Sequence, residues 1–173
     1  PIREAMRKLE SQGLIQIFPK RYAQVANFSD KEIKDIGMIR ISLDILSIKL
    51  VATYGSKAEL LNLKSIAEQC LEAFNNNDGV QRRKLDSDFH KELCRISKNK
   101  LLFDMQEDLS LKIQFILMHN DFKSVNDKEH LNQHIQIVDS LIEGNIEQAL
   151  KLDIQHLSEF YCLDIDSPIE FFL

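Results

Sequence analysis

From Ser29 to about residue 163, apolar residues recur every three or four positions, the spacing that one face of an α-helix requires. This periodicity predicts helices over residues 29–54, 56–75, 80–97, 99–119, 126–143 and 145–163. Ser29 and Glu32 have the spacing of a capping box at the start of the first of these. The stretches at 75–79 (NNNDG) and 97–100 (SKNK) read as breaks, and Gly144-Asn145 as a tight turn between two helices. Before Ser29 the pattern differs. Ile2, Ala5, Met6 and Leu9 mark one short helix that Pro1 can open and Gly13 can close. LIQIF and YAQVA follow as two short strands around Pro19-Lys20-Arg21, a small hairpin with a basic tip. The last ten residues, DIDSPIEFFL, lack a period and are expected to dock through Phe171 and Phe172. The expected fold is mostly α: a bundle of about six to seven helices over 28–173, preceded by a separate small unit over 1–27.

Composition narrows this further. Only five glycines and three prolines in 173 residues suit long helices rather than a turn-rich β fold. No apolar run approaches the roughly 18 residues that would cross a bilayer, so no membrane partner is expected. Cys70, Cys94 and Cys162 have no C-x-x-C spacing and read as reduced, mostly buried thiols of a cytoplasmic protein. The net charge of −5 is unevenly spread: residues 1–21 carry five basic side chains against two acidic ones. A basic start on an acidic body directs any polyanion to the N-terminal unit.

The informative residues are polar ones on apolar faces. In the first bundle helix Arg40 falls inside the stripe Ile33, Ile36, Leu43, Leu46, Leu50. A guanidinium there needs an anion, which leaves two readings: an internal salt bridge or snorkelling arginine, or a fork for a bound carboxylate. In 80–97, Asp86 and His90 lie one turn apart on one edge of the stripe Leu85, Phe89, Leu93, Ile96. His134 sits amid Leu131, Val138, Leu141 and Ile142, and His156 borders Ile146, Leu150, Leu157 and Phe160. One interior histidine is usually a satisfied core residue. Three of them with an aspartate point to a divalent cation held inside a bundle.

These residues also carry a resemblance. D-x-x-F-H at 86–90, Asn99-Lys100-Leu101-Leu102, H-x-x-I-x-x-S-L-x-x-G-N at 134–145 and then His156 resemble the FCD effector-binding domain of GntR-family transcriptional regulators of the FadR type. PIREAMRKLESQGLI with FPKRYAQV is similar to the second half of that family's winged helix-turn-helix. The family's leading strand and first two DNA-domain helices have no counterpart, so the DNA-binding unit is expected to be truncated.

The resemblance implies that Asp86, His90, His134 and His156 ligate one divalent metal, zinc first, with nickel, manganese or iron as alternatives. His130, one turn before His134, is a rival for that ligand position. Arg40 matches a family arginine, which favours the fork for a small organic-acid effector. Asn145 stands where the family has aspartate, and Lys112 where many members have arginine. Arg3 and Arg7 on the resembling recognition helix, with Lys20 and Arg21 on the wing, are the expected contacts to operator DNA. The implied molecule is a cytoplasmic homodimeric regulator rather than an enzyme. Its rivals are a metal-dependent hydrolase, for which Asp153 and Glu129 are the candidate bases, a metal-free regulator, and a scaffold with purely structural histidines.

Overall fold

The computed structural model describes residues 1–119 and 128–173. The chain runs α1 (Ile2–Ser11), β1 (Ile15–Phe18), β2 (Tyr22–Val25), α2 (Asp30–Tyr54), α3 (Lys57–Asn75), α4 (Gly79–Ile96), α5 (Lys100–His119), α6 (Lys128–Ile142), α7 (Ile146–Phe160) and α8 (Pro168–Phe172). The expected start of α6, at residues 126 and 127, lies outside the described residues.

Local chemistry sets most of these boundaries. The Ser29–Glu32 box is closed in both directions, and a second one, Ser56 with Glu59, opens α3. Asp78 caps α4 through the Gln81 amide, and Asn145 caps α7 through the Gln148 amide. Asparagine therefore does at 145 what an aspartate would do. The two predicted breaks at 75–79 and 97–100 contain Asn77 (φ 56°) and Lys98 (φ 60°), and Gly144 (φ 77°) turns the chain from α6 into α7.

The hairpin pairs Ile15 with Val25 and Phe18 with Tyr22, whose rings lie 4.8 Å apart. Pro19 presets its own φ, and Lys20 at φ 60° takes the left-handed position that a tight turn needs. Phe28 ties this region to the bundle, and a backbone bond closes the hairpin. The Ala26 amide donates to the Leu14 carbonyl at 2.9 Å, and Phe28 packs against the bundle core. Lys112, where many members of the resembling family have arginine, reaches toward Gly13, its Cε 3.6 Å from where a Cβ would stand.

In the bundle, α2 lies against α7, α4 and α5, α3 packs on α4 and α6, and α6 packs on α7. The main core joins Ile41, Ile48, Leu63, Phe89, Leu93, Ile137, Ile154 and Leu157. This position of α2 changes its expected stripe. Leu46 is 43% exposed, whereas Ile41, Ile45 and Ile48 are buried, because three neighbours cover more of the helix than one stripe can. Ile142 and Ile146 also lie at the surface of their helices. Of the two terminal phenylalanines expected to dock, Phe172 packs against the core and Phe171 is 59% exposed. Cys70 and Cys94 are buried and Cys162 is exposed. Among the described residues no helix is long and apolar enough to cross a membrane.

Candidate metal centre

The four residues singled out as ligands come together. Asp86 and His90 from α4, His134 from α6 and His156 from α7 each offer an atom within 4.8 Å of the others, and all four are buried. His90 and His134 face each other Nε2 to Nε2 at 3.3 Å, with an Asp86 oxygen 3.7 Å from His134 Nε2. Two nitrogens held about 2.1 Å from one cation stand roughly 3.0–3.4 Å apart, so the spacing suits a shared ion. Phe89 tilts against the His134 ring at 4.4 Å and walls one side.

Residues outside the predicted set orient the imidazoles. His90 Nδ1 lies 2.6 Å from Asp44 Oδ2, and a carboxylate only accepts, so Nδ1 carries the proton and Nε2 keeps its lone pair for the centre. His156 does the same through Gln133: Nδ1–H donates to Oε1 at 3.0 Å. Gln106 Nε2 adds a long bond of 3.4 Å to the other Asp44 oxygen. Asp44 has a sequence signal, since it stands one turn beyond Arg40 on the same face of α2. Gln133 has none, because its partner is on another helix.

Arg40 is buried, with an internal ion pair and one donor to spare. Nη1 donates to the Tyr161 hydroxyl at 3.0 Å, Nη2 lies 3.8 Å from Asp86, and Nε has no hydrogen-bond partner. Its pKa is raised despite burial, because Tyr161, Asp86 and Asp44 surround it. Burial pushes the Asp86 carboxyl up, but Arg40, then His134, His90 and Arg82 outweigh this and keep it ionised. Asp153 lies buried near His90 and Asp44 with neither oxygen bonded, its pKa raised by burial and then by Asp44. Glu129, the other candidate base, is exposed on α6. His130 is buried and stacks on His156 at 4.0 Å, outside the four-ligand group.

These shifts set a pH dependence. Burial lowers His134 to about 3, with Asp86 opposing and His90, His130 and Arg40 assisting. Burial likewise lowers His156 and His130. Below pH ~6.5 the unfolded chain binds protons at these residues that the folded chain refuses, so stability falls on acidification. Asp153 acts in the opposite sense, but it is one group against three. Between pH 7 and 5 His134 alone should cost about 2 kcal/mol. Calorimetry of chelator-treated protein should show Tm falling over that range; a flat or rising Tm would refute the assignment of neutral buried imidazoles.

The basic residues of the N-terminal unit also converge. Arg3 and Arg7 of α1 and Lys20 and Arg21 of the hairpin tip line one open groove of about 600 Å³, with Ile17 and Tyr22 among its apolar walls. All four basic side chains are exposed.

Comparison with known proteins agrees with this architecture. A family model described as the FCD domain matches residues 35–159. The HTH-type transcriptional regulator YdhC of Bacillus subtilis is 28% identical over 159 residues, covering 91% of this chain and 71% of that protein. The HTH-type transcriptional repressor RspR of Escherichia coli is 27% identical over 163 residues, covering 92% and 71%. Among solved structures, E. coli McbR/YncC superposes with a TM-score of 0.78 at 18% identity, over 90% of this chain and 79% of that one. A GntR-type regulator from Rhodococcus sp. RHA1 gives the same TM-score at 17% identity, over 93% and 77%.

Proposed function

Because this chain belongs to the FCD-domain family of GntR-type transcriptional regulators, we propose that its helical bundle senses a small organic acid through a bound divalent cation. The cation is held by Asp86, His90, His134 and His156, and the acid binds with its carboxylate on the cation and on Arg40. The observation that carries this reading is the buried convergence of the four ligands, with Nε2 of His90 and His156 turned inward by Asp44 and Gln133. Three imidazoles and one carboxylate suit zinc first, and nickel, manganese or iron(II) next. The cation would supply charge to attract and orient a carboxylate. Arg40 keeps Nε as a spare donor for it.

In the same proposal residues 1–27 are the DNA-binding unit and 28–173 the sensing domain. Arg3, Arg7, Lys20 and Arg21 contact operator DNA from the groove they share, and a homodimer presents two such units to the two halves of a site. The protein works in the cytoplasm, and its relatives' regulatory role favours sensing over hydrolysis.

The test is metal content by plasma mass spectrometry, followed by thermal shift with acetate, lactate and citrate. About one equivalent of metal is expected, with at least one acid raising Tm in the metal-loaded protein and none after chelation. Absence of metal even after zinc, nickel and manganese are added would overturn the reading.

A further inference from the structure

A second polar feature lies one turn from the centre and offers it no ligand. Arg82 of α4 is only 9% exposed, and its guanidinium has neither a hydrogen bond nor an ion pair among the described residues. Asp86, four residues on, is paired with Arg40 and His134 instead. The stem is packed and the head faces an open pocket with no counter-ion beside it, so the guanidinium is available to an incoming anion. The Arg82 backbone is held in place, since its carbonyl accepts from Cys70 Sγ at 3.4 Å.

The surroundings complete an anion receptor. Arg82 lines an open pocket of about 360 Å³ with Phe74, Asn77 and Gly79, at the junction of α3 and α4. Gly79 and Val80 open α4, and their amides have no intrahelical acceptor because they lie in its first turn. Asn77, held at φ 56°, brings a side-chain amide to the same place. Asp78 is already engaged by the Gln81 amide and lines a different pocket, on the Gln69–Leu85 side of the junction.

We propose that this pocket is an oxyanion site, taking a phosphate or carboxylate group on the Arg82 fork and the α4 N-terminus. It shares no ligand with the metal centre. Its position gives it a regulatory sense: an anion on Arg82 offsets one of the positive charges near Asp86, so occupancy of the two sites is coupled.

The experiment is a thermal-shift and calorimetric titration of the full chain after chelation, with inorganic phosphate, succinate and, at matched ionic strength, chloride. Wild-type protein should gain a few degrees of Tm at about 10 mM phosphate or succinate and nothing from chloride. Arg82→Met, which keeps the stem, should lose that gain, and Arg82→Lys should keep a weakened one. The same gain in His134→Ala would separate the pocket from the metal centre. A response to phosphate but not succinate would assign a phosphate group, and the reverse a carboxylate. No response in wild type, or an equal response in wild type and Arg82→Met, would overturn the proposal. If Arg82→Met is not folded by circular dichroism, the Arg82→Lys titration decides, an undiminished gain there counting against the fork.

Discussion

His134→Ala should lower the affinity of the bundle for zinc or nickel by more than roughly 100-fold, the upper end of what loss of an outer partner costs. His134 is fully buried and contributes the Nε2 atom that faces both His90 and Asp86. Its removal leaves three ligands and a void beside Phe89. Asp44→Asn should have a smaller effect, about 10- to 100-fold. The amide oxygen of the variant can still accept from His90 Nδ1, but without the charge that strengthens the imidazole as a donor to the ion. His130→Ala should keep its metal, since that ring stacks on His156 and Phe160 outside the four-ligand group. Dissociation constants from competition with a coloured chelator would rank the three variants beside wild type. Equal affinity in His134→Ala and wild type would remove the cluster as the binding site.

The second large effect is expected far from any ligand. Gly37 lies in the middle of α2, where alanine would ordinarily add about 1 kcal/mol through helix propensity. Here a Cβ would stand 2.4 Å from Cγ and 2.7 Å from Cβ of Tyr161. The tyrosine Cβ is fixed to the backbone, so no rotamer change can clear it, and the end of α7 must move. Gly37→Ala should therefore destabilise by about 2 kcal/mol net, a Tm loss of roughly 4–8 °C. It should also part the Tyr161 hydroxyl from Arg40, one turn along from Gly37. Urea denaturation measures the first effect, and carboxylate affinity of the metal-loaded protein measures the second. An increase in stability would mean that Tyr161 does not pack on Gly37 as described.

The helices and the inward-facing histidines are legible in the sequence because both depend on local spacing, and the resemblance to the family joins the histidines with Asp86 into one set. A cap and its partner lie three residues apart, Asp86 and His90 four, and interior histidines reveal themselves against an apolar stripe. What escapes depends on contacts between distant segments. Tyr161 meets Arg40 across 121 positions, and nothing near either residue announces the other. Gln133 reaches His156 on the neighbouring helix, and the wheel of α6 gives it no special place. The α2 stripe departs from expectation for a related reason. A single amphipathic face is the right expectation for a helix with one buried side, but α2 is enclosed by three helices and carries Arg40, Asp44 and Ser47 inside with its isoleucines.

The short connection between hairpin and bundle has a mechanical consequence. Residues 26–29 leave little slack: the Ala26 amide is bonded to Leu14, the half-buried Phe28 packs against the core, and Ser29 is bonded to Glu32. Arg40 sits ten residues along α2 from Asp30, about 15 Å at the rise of an α-helix. A tilt of about 5° around Arg40 would swing the start of α2 by more than 1 Å. Any such tilt of α2 would carry the hairpin with it, so a change among the buried charges around Arg40 would reach the basic groove as a change of position.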